Sequence, residues 1–196
     1  MIGGAATRVI LVRHGATEWS VSGKHTGRTD LPLTAEGRRM AALAGKKLAE
    51  FHFSLVLTSP LQRARETCIL AGYGGQAETR PDLMEWDYGA YEGLTTADIH
   101  KERPTWNLWR DGAPAGETAE MVGERTDRVI AEARSAGGDV ALFAHGHLLR
   151  VLCARWLDLA PSDGRLFALD TAAISMLGYE RDQAVISHWN QAGHLH

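Results

Sequence analysis

Four groups able to hold or transfer a tetrahedral anion stand just beyond short apolar runs of the sequence. Arg13-His14-Gly15 follows Val9 to Val12, Arg63 comes shortly after Leu55 to Leu57, and His145-Gly146 follows Val140 to Ala144. Runs of this length, rich in Val, Leu and Ile, predict strands buried on both faces. In a parallel α/β sheet the turns after such strands gather at the carboxyl edge, where ligands bind. Two arginines there could each donate paired hydrogen bonds to phosphate oxygens. Helix N-termini after Ser59 and His145 would add positive dipole ends at the same edge. Taken singly, each residue also fits a bland role: a hydrogen-bonded structural histidine, or a solvated arginine in a first helical turn. Their convergence points to phosphate, because a buried core has no use for four such groups.

The elements that must position these residues are legible from their punctuation. Thr34 reads as the N-cap of a helix reaching Phe51, with Met40, Leu43 and Leu48 at helical spacing. Ser59 and Pro60 read as N-cap and first position of a helix to about Ala71. A long helix is predicted over Thr118 to Ala136, stopped by Gly137-Gly138, and another over Leu148 to Leu157. Ile174 to Tyr179 and Ala184 to Trp189 read as a closing hairpin. The alternation of strands and helices implies an α/β fold with a parallel sheet. Gly89 to Glu117, with Trp106, Trp109, Arg110, Pro104 and Pro114, reads as an irregular excursion over one end of the sheet. No repeat, linker or low-complexity tract divides the chain, so residues 1–196 are expected to form a single domain, with Gly193-His194-Leu195-His196 as a mobile tail.

Composition excludes several function classes. At 196 residues, 44% hydrophobic and 23% charged, the chain can bury a core without disulfides or metal. A net charge of −3 gives no sequence-wide reason to expect nucleic acid or an anionic membrane as partner. Met1 to Thr7 lacks the apolar core of a signal peptide, and charged residues and histidines break the best apolar stretch well short of a membrane span. The two cysteines, Cys68 and Cys153, sit in helical apolar runs and read as reduced core thiols, consistent with a cytoplasmic protein.

The run Leu11-Val12-Arg13-His14-Gly15-Ala16-Thr17-Glu18-Trp19 resembles the RHG signature of the histidine phosphatase superfamily, which includes the cofactor-dependent phosphoglycerate mutases. Further blocks match in order: Thr26-Gly27 to Leu33-Thr34, Thr58 to Ala64, Leu83 to Gly93, Gly116-Glu117-Thr118 and Ala144-His145-Gly146. The resemblance spans nearly the whole chain and implies a three-layer α/β/α sandwich around a mostly parallel sheet. It also implies roles. His14 would be the nucleophile that forms a phosphohistidine, its other ring nitrogen oriented by a backbone carbonyl. Arg13, Arg63 and His145 would clamp the phosphoryl oxygens. Glu85 would protonate the leaving oxygen and then activate water, beside a wall supplied by Trp86 and Tyr88. Ser20, Thr26, Gly27, Tyr88, Gly146 and His147 are the implied substrate contacts. No cofactor is implied, and the His145-x-His147 pair lacks a third ligand at metal-binding spacing. Glu117 reads as a structural early-turn carboxylate.

Hydrolysis and phosphoryl transfer between two oxygens of a substrate share this core, and the choice lies outside it. Thr96 stands where the mutases have lysine, Trp109-Arg110-Asp111 replaces a Trp-Arg-Arg run, and Ala113-Pro114-Ala115 is all that is left of a proline-rich insertion. His147 and Ser20 each replace an asparagine of the mutases. These departures resemble the phosphatase branch, that of sedoheptulose-1,7-bisphosphatase and the mycobacterial acid phosphatases. The expectation is hydrolysis of a small phosphorylated metabolite, a sugar phosphate or bisphosphate, with Arg110 and His25 reaching a second anionic group. The alternatives are a bisphosphoglycerate-dependent mutase and a binding protein on an inactive phosphatase fold, although the latter should have lost one of the core groups. Oligomeric state is left open, a homo-oligomer included.

Overall fold

The computed structural model describes residues 7–195; Met1–Ala6, most of the stretch read as lacking a signal peptide, and His196 lie outside them. The chain runs β1 (Val9–Arg13), α1 (Glu18–Ser22), α2 (Ala35–Leu48), β2 (Phe53–Thr58), α3 (Gln62–Leu70), β3 (Ala77–Thr79), α4 (Thr96–Glu102), α5 (Leu108–Asp111), α6 (Ala119–Ser135), β4 (Asp139–Ala144), α7 (Gly146–Trp156), β5 (Ile174–Glu180) and β6 (Gln183–Gln191). One six-stranded sheet has the order β3-β2-β4-β1-β5-β6. The first four of these strands are mutually parallel, and β5 and β6 add an antiparallel edge.

The apolar runs are continuous because both sheet faces are covered. Val9, Leu11, Leu57, Val140 and Leu142 pack with Val129 and Ile130 of α6 and Leu148 and Leu152 of α7. Their neighbours Ile10, Val12, Val56, Ala141 and Phe143 pack with Ala44 and Leu48 of α2 and Cys68 of α3. The period-two alternation thus divides one set of strands between two cores, which makes the three-layer α/β/α sandwich. Each buried Leu, Ile or Phe contributes about 2 kcal/mol, so this packing outweighs the helix caps at about 1 kcal/mol each. Thr34 and Thr118 do cap α2 and α6, accepting the amide hydrogens of Gly37 and Met121.

The register also sets the site. Arg13 lies opposite Ala144 and Thr58 opposite Phe143. The ladder continues past the strand ends, with His14 N–H donating to Ala144 O and Ser59 N–H to Phe143 O, each at 3.0 Å. Hence His14, Ser59 and His145 emerge side by side at the carboxyl edge.

Several expectations need correction. Ser59 does not cap α3: its backbone still belongs to the sheet ladder, the helix starts at Gln62, and Leu61 precedes it with no side-chain cap. Helix α7 starts at Gly146 rather than Leu148. The excursion contains α4 and α5, begun by Thr95 and Asn107 caps that accept the amides of Asp98 and Trp109. The tail docks as far as it is described: Leu195 is buried, and its carbonyl accepts a bond from Arg39 of α2. Both cysteines are free and buried, and burial pushes each thiol up to about 12.

Candidate active site

A cleft opens at the carboxyl edge of β1 and β4. Its wall includes Arg13, His14, Ser20, Lys24, His25, Thr26, Glu85, Tyr88, Gly146, His147 and Arg150. His14 is almost wholly buried, and its Nδ1 lies 2.7 Å from the carbonyl of Gly15. A carbonyl only accepts, so Nδ1 carries the proton and Nε2 keeps its lone pair. Burial, reinforced by Arg63 and then Arg13, holds the His14 pKa well below the ordinary imidazole value. The ring is therefore neutral and aimed by its own neighbour's backbone.

Arg13 bonds Leu169 O through Nη1, while its Nε is buried with no hydrogen-bond partner among the described residues. Burial lowers its pKa, opposed chiefly by Glu85. Its guanidinium lies close against Gly146, where a Cβ would sit 3.3 Å from Arg13 Cζ. An orphaned buried donor costs about 1–3 kcal/mol.

Arg63 and His145 sit behind this wall. Arg63 donates to Thr29 O, Thr26 O and Gly27 O at 2.9–3.0 Å, and its Nε–H to His145 Nδ1 at 3.2 Å. Receiving that bond leaves the His145 proton on Nε2, which donates to Ser59 Oγ at 2.8 Å. Ser59, missing as a cap, thus serves the site. The rings of His14 and His145 are 5.2 Å apart, and burial followed by Arg63 keeps His145 well below the ordinary value too.

Glu85 caps α7 from outside the helix. Oε2 accepts His147 N–H at 3.1 Å, and Oε1 accepts Leu148 N–H and Trp86 N–H at 2.9 Å each. The helix end expected to face phosphate directly therefore presents a carboxylate instead. Tyr88 Oη meets His147 Nδ1 at 2.6 Å. Burial raises the phenol's pKa and lowers the imidazole's, so the tyrosine donates and His147 carries its proton on Nε2. His145 and His147 thus take separate partners, and among the described residues no cluster of three or more His, Cys, Asp or Glu is placed to hold an ion.

The remaining expected contacts divide. Ser20 lines the cleft while closing a capping box with Thr17. Thr26 lines it too. Gly27 lies one layer back, its N–H on Glu92 and its carbonyl on Arg63; a Cβ there would fall 2.6 Å from Trp86 O, so the close approach needs glycine. His25 lines the cleft and packs on Tyr88 at 4.8 Å. Arg110 does not reach it. Its side chain is 63% exposed and pairs with Asp111 and Thr105 O, because Asn107 turns α5 so that the two adjacent charges meet outside. Two cations that sequence reasoning missed stand in the wall. Arg150 lies over Trp109 at 4.6 Å and donates to Gly164 O and Arg165 O; Lys24 lies over Trp19 at 5.5 Å. Neither has a carboxylate partner among the described residues. The spacing from Gly146 to Arg150 is one helical turn and places both on one face.

The sequence model of the histidine phosphatase superfamily (branch 1) matches residues 9–192. The chain belongs to this superfamily. Among relatives of this histidine phosphatase, an acid phosphatase of Mycobacterium tuberculosis is 40% identical over 191 residues, covering 95% of this chain and 94% of that protein. Sedoheptulose 1,7-bisphosphatase of Saccharomyces cerevisiae is 40% identical over 185 residues, covering 78% and 68%. A solved Mycobacterium tuberculosis structure superposes with a TM-score of 0.90 at 40% identity, covering 95% of this chain and 98% of that one. The fold shared with these relatives is mixed α/β, with a mostly parallel six-stranded central sheet and helices around it. No described helix is long and apolar enough to cross a membrane.

Proposed function

We propose that this histidine phosphatase hydrolyses a sugar phosphate or bisphosphate through a phosphohistidine on Nε2 of His14. The observation that carries this reading is the neutral His14, tied through Nδ1 to Gly15 O, beside the unpartnered buried Nε of Arg13. Nε2 attacks phosphorus as the ester P–O bond breaks, and Arg13 receives the charge that gathers on the phosphoryl oxygens. Glu85, across the same wall, gives its proton to the departing alkoxide. A water then attacks the phosphohistidine, Glu85 takes the water's proton, the P–N bond breaks, and inorganic phosphate leaves with His14 restored. Behind it, Arg63 Nη1 keeps one uncommitted hydrogen, while the His145 Nε2–H is taken by Ser59 Oγ and supports the pocket from one ring away.

A sugar phosphate fits the rest of the wall. Lys24 and Arg150 add two unpaired cations beyond Arg13, against Glu85 as the carboxylate among the lining residues. That excess suits a substrate with a second anionic group, and the two relatives at 40% identity are named as phosphatases, one acting on a sugar bisphosphate. The two buried reduced thiols support a cytoplasmic location.

The test is phosphate release from sugar phosphates, bisphosphates and 3-phosphoglycerate, with chelator present and His14→Ala as control. Chelator-resistant release, lost in the variant, supports the proposal. Interconversion of 2- and 3-phosphoglycerate with a bisphosphoglycerate primer, without release, would overturn it in favour of a mutase.

A further inference from the structure

The reaction needs the Glu85 carboxyl held at one place in the cleft, yet among the described residues no side chain hydrogen-bonds to it; its oxygens accept backbone N–H groups. Its position is therefore set by the two amides of α7 and by the backbone that carries it, residues 82–87. A buried ion pair outside the cleft grips that backbone. Arg125 of α6 sends Nη1–H to the carbonyls of Asp82 and Met84 at 2.8 and 2.5 Å. Its Nε and Nη2 meet the two carboxylate oxygens of Glu117 at 2.9 and 3.0 Å. Glu117 accepts Asp87 N–H on Oε2 at 2.8 Å, donates its own N–H to Asp87 O at 2.9 Å, and accepts the Trp86 indole N–H on its carbonyl at 2.9 Å. The two residues thus hold the chain at Asp82, Met84, Trp86 and Asp87, on both sides of Glu85.

Stability alone is a poor account of such a pair. Its side chains are only 8% and 12% exposed, and the desolvation of a buried ion pair offsets much of its attraction, so an apolar contact would join α6 to this segment about as well. A planar guanidinium that bridges two carbonyls and a carboxylate does what an apolar contact cannot: it fixes backbone direction. The early-turn carboxylate reading of Glu117 omits this.

We infer that Arg125 and Glu117 are positioning residues for Glu85, holding the acid where it can meet the leaving oxygen. This rests on the proposal that Glu85 is the proton donor, and the experiment separates the two. Single-turnover rates are measured with phenyl phosphate, whose phenolate leaves as a strong base and needs a proton, and with 2,4-dinitrophenyl phosphate, whose leaving group departs without one. The variants are Arg125→Met and the milder Glu117→Gln, with Glu85→Gln as reference. General acid catalysis supplies about 10²–10⁴-fold, so a misplaced acid should slow phenyl phosphate by about 30-fold or more while the dinitrophenolate burst changes less than about threefold. The ratio of the two rates is a property of each folded molecule, so partial unfolding of a variant lowers the burst amplitude without moving the ratio.

The expected result is the same split between substrates in all three variants. If Glu85→Gln slows both esters equally, the acid assignment fails and the positioning role falls with it. If Glu85→Gln shows the split but Arg125→Met and Glu117→Gln do not, the pair supports only the fold. The inference is then overturned while the acid assignment stands.

Discussion

Behind the cleft, Arg63 directs its guanidinium to three loop carbonyls and to His145, which in turn holds Ser59. At the rim, Lys24 and Arg150 carry their charge against aromatic rings, with no carboxylate among the described residues to neutralise it. The inner groups are polar residues completed by the protein; the outer cations, although Arg150 also donates to two carbonyls, have no counter-charge among the described residues. The rim is the part free to vary. Altering the inner network disturbs chemistry and fold together, whereas altering the rim should change which phosphate ester is preferred.

The largest effect is expected at His14, the proposed nucleophile. His14→Ala should lower kcat by about 10⁴-fold or more, since loss of a covalent nucleophile leaves only residual binding effects; trapping of a phosphorylated imidazole from the wild type checks the assignment. Next, Arg63→Ala should destabilise the protein by about 3 kcal/mol, because the buried Gly27 carbonyl and His145 imidazole lose their donor at about 1–3 kcal/mol each, while water can reach the part-buried Thr26 and Thr29 carbonyls. Urea unfolding measures this, and a change within about 0.5 kcal/mol would place Arg63 with the rim.

Acid should act on both properties. The buried imidazoles of His14, His145 and His147 are held below their unfolded value near 6.5. The unfolded chain therefore binds more protons as pH falls below about 6.5, and stability present above that value is lost, at up to about 1.4 kcal/mol per pH unit for each group. The acid limb of kcat/KM, set by the neutral His14 nucleophile, should likewise lie below 6.5; a limb at or above it would contradict the environment described for that ring. At the rim, Arg150→Ala should raise KM for a sugar bisphosphate about tenfold, equivalent to 1.4 kcal/mol. Arg110→Ala should change it less than about twofold, in line with its surface pairing to Asp111. Equal effects of the two substitutions would erase the distinction between them.

The inner region is legible in the sequence because it rests on strand ends. Val9–Arg13 and Asp139–Ala144 announce themselves by apolar runs, and the turn after a buried parallel strand must lie at the carboxyl edge. The rim is not, because its residues depend on how turns and short helices aim side chains. Arg110, with an aromatic neighbour and a plausible place in the excursion, is turned outward by the Asn107 cap and Asp111. Arg150 stands one turn after Gly146, and only the earlier start of α7 brings it onto the cleft face. Ser59 misleads for the same reason: the strand ladder runs one residue further than apolar content shows, and converts a helix-cap signal into a hydrogen-bond partner for His145.

Because Glu85 closes the first turn of α7, a proton gained there in the proposed reaction would be felt by amides that take no part in the chemistry. A carboxylate at a helix N-terminus gains from the helix dipole, and a neutral carboxyl gives that up. The N–H groups of His147 and Leu148 thus form a built-in gauge. Their amide resonances would shift, and their exchange with deuterium would quicken, whenever the acid is loaded, so the proton could be followed through a turnover by spectroscopy on an unmodified protein.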